Sequence, residues 1–374
     1  MHYTLNIRLT KSCNADCDYC SSFDVDEKSY MSKDDVVGSI EYLFKTVLPA
    51  QRITPTAVTI QYVGGEVLTI PTDTLNTIVN SVRYFFAELN ISIVDGVQTN
   101  LIGSNRRVSN LITLFNGRVG STIETVTDKR TISNSAQGFK DIWNDRVSLL
   151  PRNGNSGLIF TVDHDTSRHA QAEYKASCDL NLPITYRPVF EGGKSVEKLS
   201  ASDYTSILLD TLSKWFMSTK PAVEPLLDMI KSRITSHSMS HCSSCNRQSD
   251  CAKRGMNIEP NGDLYTCLEM ADSGVYKLGN GISKTFNTNT WSKIALRDAV
   301  ISRECGACPY FTSCKGGCLI ESEQAGMGMY SKTPYCSTYI NVFSEIDRLI
   351  EEHGASDVKK WLGTYNLNQH AAVY

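Results

Sequence analysis

The chain has 374 residues, longer than one average domain and ample for a large core, and its 37 Lys and Arg against 40 Asp and Glu leave a net charge of −3 without long like-sign runs. That balance carries no electrostatic footprint for nucleic acid or for an anionic membrane surface. The N-terminal MHYTLNIRLTKSC has no apolar h-region and nowhere do about 18 apolar residues run together, so neither export nor membrane insertion is encoded and a cytoplasmic protein is expected.

Through roughly the first 190 residues, short β-like runs alternate with helical patterns, the signature of βα units on a parallel sheet. Candidate strands are Tyr3 to Leu9, Ala57 to Tyr62, Ser92 to Gln98, Val119 to Ile123, Leu158 to Asp163 and Ile184 to Val189, six units in all. An α/β fold, a partial (β/α)6 TIM-like barrel, is the expectation. Ser32-x-x-Asp35 resembles a capping box and opens a helix that buries Val36, Ile40, Leu43 and Phe44. The clearest helix sets Leu75, Ile78, Val79, Val82, Phe85, Phe86 and Leu89 on one stripe, with Asp73 as its expected cap. Both stripes read as core.

A helical stretch from Ala201 to Phe216, then Pro221 and Pro225, separates this region from a cysteine-rich one, with the boundary near residue 238. The expected division is 1–200 for the barrel, 201–238 for a helical bridge, 239–353 for the cysteine-rich domain and 354–374 for a C-terminal tail. Asn257 to Cys267 reads as a hairpin turning on Asn261-Gly262. A last helix carries Tyr339, Val342, Phe343, Ile346, Leu349 and Ile350 and stops before Gly354, a suitable residue just past a helix end. The tail to Tyr374 shows no pattern, and the chain has no internal repeat.

Thirteen cysteines in a chain without an export signal are thiols available to metal, not a disulfide framework. Cys13-x3-Cys17-x2-Cys20 places three of them within eight residues just after the first strand, where a parallel barrel keeps its active site. Three ligands leave one iron of a [4Fe-4S] cluster open to a substrate, whereas a four-cysteine electron-transfer cluster has no such vacancy. The competing reading is an incomplete zinc site, although zinc motifs favour paired Cys-x2-Cys elements and four ligands.

The triplet after the first strand, with Tyr19 just before its last cysteine, resembles the radical S-adenosylmethionine (SAM) superfamily. Three further segments agree. Gly64-Gly65-Glu66 follows the second strand, where the superfamily binds the SAM amino group; glycine permits close backbone approach and a carboxylate pairs with an ammonium. Gln98-Thr99-Asn100 ends the third strand and resembles the corresponding segment of peptide-modifying members. Thr122 and Glu124 end the fourth, where the family often has Ser and Asp, and Arg130 is in reach of the SAM carboxylate or is an ordinary exposed arginine.

The second group runs Cys245-x5-Cys251-x15-Cys267, then Cys305-x2-Cys308-x5-Cys314-x3-Cys318 and Cys336. Eight thiolates suit either zinc ribbons or two [4Fe-4S] clusters. The pattern, including Cys-Lys-Gly-Gly-Cys at 314 to 318, resembles the SPASM extension of radical SAM enzymes. The resemblance implies an interleaved assignment: Cys245, Cys251, Cys267 and Cys318 for one auxiliary cluster, Cys305, Cys308, Cys314 and Cys336 for the other. Cys178 and Cys242 are left over and read as buried or incidental thiols, with Cys242 near enough to Cys245 to replace it.

What the resemblance implies functionally is an oxidoreductase holding three [4Fe-4S] clusters and SAM. It would take electrons from a flavodoxin or ferredoxin and oxidatively modify a ribosomally made precursor peptide by a crosslink, a thioether or a backbone or side-chain oxidation. Such maturases often carry a leader-binding domain before the barrel, so a separate leader-binding protein, or the barrel and SPASM surfaces, is expected to serve here. The nearest alternative is an anaerobic sulfatase maturase forming formylglycine. There an aspartate base follows the third cysteine of the first auxiliary site; here Leu268 stands in its place and Glu269, the one candidate acid-base residue, comes next. A reading of another class is an iron-sulfur electron carrier or a zinc-binding structural protein.

Overall fold

The computed structural model describes residues 1–22, 29–192, 194, 198–234 and 247–365. Cys242 and Cys245 therefore lie outside the described residues.

Six strands follow one another as expected: β1 His2–Arg8, β2 Ala57–Val63, β3 Ser92–Gln98, β4 Val119–Thr122, β5 Gly157–Val162 and β6 Ile184–Pro188. Each pairs in parallel with the next, and a short β7, Val223–Glu224, extends the sheet beside β6. Tyr3, Leu5 and Ile7 of β1 are fully buried, and Tyr3 meets Phe44 edge-on at 6.1 Å, so this face packs on helices. The intervening His2, Thr4 and Asn6 face the other way by the two-residue period of a strand. The helical layer includes α1 Lys33–Tyr42, α2 Thr72–Glu88, α3 Asn105–Leu114, α4 Ala136–Val147, α5 Ala170–Leu180 and α6 Ala201–Trp215.

The Ser32 cap forms as the sequence implies, its Oγ accepting from the Asp35 amide at 3.1 Å. Asp73 does not cap α2. The helix begins one residue earlier, behind Pro71 at φ −54°, a ring already set to a helical angle, and Asp73 lies in the first turn where it favours the helix dipole.

The cysteine-rich region shares this sheet. Its strand β8, Gly255–Ile258, pairs in parallel with β1 on the side away from β2, in the register Asn6 to Asn257. β9 Asp263–Tyr265, β10 Gly279–Asn280 and β11 Thr285–Phe286 continue antiparallel, giving the order β11-β10-β9-β8-β1-β2-β3-β4-β5-β6-β7. The hairpin between β8 and β9 has a three-residue loop, Pro260 to Gly262: the Gly262 amide donates to Glu259 at 2.8 Å and Gly262 takes φ +85°, a left-handed angle glycine supplies without strain.

Helix α7, Leu226–Ile234, precedes the undescribed 235–246 segment. Beyond it come α8 Cys251–Arg254, α9 Leu268–Asp272, α10 Thr288–Cys305, α11 Phe311–Cys314, α12 Leu319–Gln324 and α13 Cys336–His353. α13 ends before Gly354 at φ +83°. The tail is more structured than the sequence reveals: α14, Ala355–Leu362, sets Trp361 5.0 Å from Trp215 of α6. Among the described residues no helix is long and apolar enough to cross a membrane.

Candidate active site

The segment carrying the first cysteine triplet leaves β1 and crosses the ends of the parallel strands. It is pinned by a two-residue antiparallel ribbon, Asp16–Cys17 against Arg130–Thr131, with Cys17 opposite Arg130. Arg130 is buried; its Nε stands 3.4 Å from Cys17 Sγ, one terminal nitrogen donates to the Thr122 carbonyl at 3.0 Å, and the guanidinium lies 4.5 Å over the Phe139 ring. Burial alone would weaken its charge, but Cys17, Tyr19 and Glu124 together hold the pKa above the ordinary arginine value. Arg130 is thus not an exposed arginine.

Glycine is required where β2 turns back beside this loop. A Cβ on Gly65 would come within 2.3 Å of the backbone oxygens of both Lys11 and Ser12, and one on Gly64 within 2.9 Å of the Thr10 oxygen. This approach allows the Gly65 amide to donate to Thr10 at 2.7 Å and the Glu66 amide to Ser12 at 2.8 Å. The Glu66 carboxylate then points inward. It accepts from the Leu68 amide at 2.8 Å, the Thr99 hydroxyl at 2.7 Å and the Asn100 amide at 2.6 Å. Burial raises its pKa, and those donors offset only part of the shift.

Asn100 continues the chain of contacts, its side-chain nitrogen 2.8 Å from Asn14 Oδ1 and 3.8 Å from Cys13 Sγ. Gln98, at the end of β3, keeps its side-chain oxygen buried without a hydrogen-bond partner among the described residues. Tyr19 donates to Glu124 at 2.8 Å, and the Lys129 amide and Thr127 hydroxyl complete the Glu124 shell. The structure therefore gathers Cys13, Cys17, Tyr19, Cys20, Glu66, Thr99, Asn100, Thr122, Glu124 and Arg130 at one end of the sheet.

The fit of a metal cluster to the triplet is judged on donor chemistry. Burial first, then the neighbouring Glu66, pushes the Cys13 thiol up to about 12, and burial with Cys17 pushes Cys20 up to about 11. Such thiols stay protonated until a metal takes the proton's place, and a soft thiolate set beside a buried guanidinium suits an iron-sulfur cluster. Among the described residues no three donors converge tightly enough for a single metal ion.

In the cysteine-rich region the thiols cluster at helix ends. Cys251 opens α8, Cys267 precedes α9, Cys305 closes α10, Cys314 closes α11, Cys318 caps α12 and Cys336 opens α13. Cys305 lies in the electrostatic reach of Cys336 and Cys308, and Cys314 in that of Cys336 and Cys305, so these four thiols are neighbours. Burial pushes Cys314 up to about 12 even though the Gly316 amide donates to its sulfur. Between Cys314 and Cys318 the residues Lys315, Gly316 and Gly317 all take positive φ. A Cβ on Gly316 would meet Ile301 at 2.3 Å, and one on Gly317 would meet Thr333 at 2.2 Å. The turn that brings the two cysteines together thus requires both glycines. Cys178 sits apart on α5, part-buried beside Tyr174.

Glu269 is enclosed and ion-paired with Arg187 at the end of β6, whose guanidinium also lies 5.7 Å over Phe190. A neighbouring acid escaped the sequence reading. Glu321, one turn past Cys318, is buried, accepts from Thr333 at 2.5 Å and leaves its other oxygen without a partner among the described residues; burial raises its pKa to about 7. Arg8, Asp272 and Arg297 are likewise enclosed charges that the sequence does not reveal, because nothing in the local pattern separates a buried charge from a solvated one.

An α/β fold with three thiols after its first strand, its sheet extended by a second thiol-rich region, is the arrangement that the radical SAM resemblance implies. No protein-family model matches the chain. It is 22% identical over 197 residues to the cysteine-type anaerobic sulfatase-maturating enzyme of Clostridium perfringens, a stretch covering 50% of this chain and 52% of that protein. The chain thus spans about half the length of this curated relative. Among solved structures, native anSMEcpe with bound AdoMet and Cp18Cys peptide superposes with a TM-score of 0.72 at 18% identity, covering 96% of this chain and 100% of that one. Streptococcus suis SuiB bound to precursor peptide SuiA superposes with a TM-score of 0.56 at 14% identity, covering 89% and 75%. In fold, and in sequence over about half of its length, the chain is similar to these proteins.

Proposed function

We propose that this chain is a radical SAM oxidoreductase that modifies a peptide or protein, with a ribosomally made precursor peptide as its substrate. The observation that carries the reading is the meeting, at one end of the sheet, of the Cys13, Cys17 and Cys20 thiols with the Glu66-Thr99-Asn100 network and the buried Arg130. A [4Fe-4S] cluster held by Cys13, Cys17 and Cys20 would supply an electron for reductive cleavage of SAM.

The chain's own part is binding and enclosure. Cys13, Cys17 and Cys20 hold the cluster, and Arg130 balances its negative charge beside Cys17. Gly64 and Gly65 let the chain pack directly against Thr10, Lys11 and Ser12, which fixes the loop that leads into Cys13. Glu66, already held by three donors, fixes Thr99 and Asn100, the latter beside Cys13, while Tyr19, Thr122 and Glu124 fix the Arg130 side. Gln98 offers its unpartnered oxygen as an acceptor. Cys245, Cys251, Cys267 and Cys318, and separately Cys305, Cys308, Cys314 and Cys336, would hold two auxiliary clusters that accept the electron released when a substrate radical is oxidised. In a reducing cytoplasm the thiols would stay free for metal, a flavodoxin or ferredoxin would serve as electron donor, and a separate leader-binding protein would be the partner.

The Clostridium perfringens relative favours formylglycine formation as the second reading. Against it, Leu268 replaces the expected aspartate, and Glu269 is engaged by Arg187. Anaerobic reconstitution tests the proposal. About twelve irons per chain and 5′-deoxyadenosine on reduction are expected, with SAM cleavage lost when Cys13, Cys17 and Cys20 are replaced together. Stoichiometric zinc without SAM turnover would instead support a structural or electron-carrying protein. Co-expression with a small open reading frame beside the coding region should then change the peptide mass, by about −2 Da for a crosslink or oxidation.

A further inference from the structure

Glu173, on α5, is wholly enclosed, and the donors that meet it are neutral. One carboxylate oxygen accepts from the Thr125 amide at 2.6 Å and the Val126 amide at 3.1 Å, and the other accepts from the Thr125 hydroxyl at 2.9 Å. A buried carboxylate is costly unless donors satisfy it, and these three come from one short stretch, the loop that follows β4. A helix side chain thus reaches out of its own layer and holds that loop largely by its backbone.

The same loop leads to the thiol triplet. Glu124, next to Thr125, accepts from the Tyr19 hydroxyl at 2.8 Å, the Lys129 amide at 2.9 Å and the Thr127 hydroxyl. The Lys129 carbonyl accepts from the Asp18 amide at 2.8 Å, and Arg130 follows, opposite Cys17 in the ribbon and 3.4 Å from its sulfur. Residues 124–130 therefore grip the Asp16 to Tyr19 segment, while Glu173 grips the start of the loop from the helical layer. Without Glu173, three donors that fix this start lose their acceptor.

We propose that Glu173 is a positioning residue for the SAM-binding side of the triplet: by clasping Thr125 and Val126 it sets where Tyr19, Glu124 and Arg130 stand beside Cys17. The effect on SAM rests on the radical SAM reading, whereas the clasp is a property of the metal-free chain. Glu173 acts only through the loop, because the loop's donors already occupy both of its carboxylate oxygens. Small displacements of groups that orient a reactant are enough to weaken its binding and its reaction.

The test compares the full chain as wild type, Glu173→Ala, Glu173→Gln and, as a stability control in the buried face of α2, Ile78→Ala. In metal-free protein, hydrogen exchange over residues 123–130 and the iodoacetamide alkylation rate of Cys17 are read by peptide mass mapping. Glu173→Ala should exchange faster in that segment and alkylate Cys17 about tenfold faster. Glu173→Gln should stay near wild type, because its oxygen still accepts both amides and its nitrogen can donate to the Thr125 hydroxyl. Ile78→Ala should leave Cys17 unchanged. After anaerobic reconstitution, Glu173→Ala should raise the KM for SAM about tenfold with a smaller change in kcat. A folded Glu173→Ala whose Cys17 alkylation or KM for SAM equals wild type overturns the proposal. So does Glu173→Gln as impaired as Glu173→Ala, which would assign the effect to charge, or Ile78→Ala alkylating equally fast, which would assign it to general loosening. If Glu173→Ala does not fold, Thr125→Val, which removes only the hydroxyl from the clasp, is judged by the same readouts in the same direction. Wild-type protein that cleaves no SAM would sink the radical SAM reading and the effect on SAM with it, while exchange and alkylation in the metal-free chain still decide whether the clasp holds Cys17.

Discussion

Arg8 Nη1 stands 2.5 Å from Asp272 Oδ1, a buried pair that ties the end of β1 to the end of the helix following Cys267. The same guanidinium reaches Glu259 at 3.1 Å and Ser22 at 3.1 Å, and Asp272 accepts from Ser21 at 2.8 Å. One buried cation therefore joins the residues just after Cys20 to the thiol-rich region. The Asp272 charge also bears on Cys20 directly.

Arg8→Met should uncouple the two regions. Removing one partner of a buried ion pair leaves uncompensated charge, here two carboxylates, and costs about 3–5 kcal/mol. Urea unfolding of the metal-free protein should show that loss, together with faster alkylation of Cys20. Unchanged stability would mean that water or Lys11, 3.7 Å from Glu259, takes over the role.

Gly65→Ala should abolish SAM cleavage while Gly64→Ala weakens it. At Gly65 the added carbon meets two backbone oxygens at 2.3 Å, and backbone cannot swing aside as a side chain can; at Gly64 the nearest contact is a single oxygen at 2.9 Å. The measurement is 5′-deoxyadenosine yield on reduction, with iron content as the control. Equal activity of the two variants would show that this backbone approach is not what positions SAM.

The barrel was legible in the sequence because a parallel strand buried on both faces reads as a short apolar run. Ser92–Gln98 matches its expected bounds, and the other five strands differ from theirs by one residue at one or both ends. The cysteine spacing was legible because ligand chemistry demands it. The pairing of β8 with β1 was not, since a four-residue strand 250 residues distant in sequence leaves no local trace. α14 was missed because it is short: its buried face is Val358, Trp361 and Leu362 alone, and three positions over two turns are too few to stand out as a periodic pattern. Buried charges such as Arg8, Arg297 and Glu321 show themselves only once the partners that enclose them are known.

Stability should fall with rising pH through a site far from the thiol triplet. Glu224 of β7 is part-buried beside Asp228, which is ion-paired with Arg247; burial, then the Asp228 charge, raises Glu224 to about 7. The folded state thus holds a proton that the unfolded chain releases near pH 4.3, so the contribution is complete below that pH and is lost as pH rises through about 7. The loss should be on the order of 2–3 kcal/mol between pH 4.5 and 7.5. Glu224→Gln should flatten this slope in denaturant titrations. A slope unchanged in the variant would assign the dependence to another group.

Glu269 offers the sharpest division between a structural and a chemical role. Its carboxylate is committed to Arg187, whose charge also bears on Glu321, so the three form one buried polar group between β6 and the cysteine-rich helices. Held this way, Glu269 serves to neutralise Arg187 and is poorly suited to accept a proton from substrate. Glu269→Leu alone should therefore cost stability, about 1–3 kcal/mol for the stranded guanidinium, and Arg187→Met added to it should restore much of the loss. The double variant should still modify its peptide. If instead it forms 5′-deoxyadenosine at the wild-type rate but leaves the peptide unmodified, Glu269 or Arg187 acts on the substrate, and the sulfatase-maturase reading regains the base that Leu268 denies it.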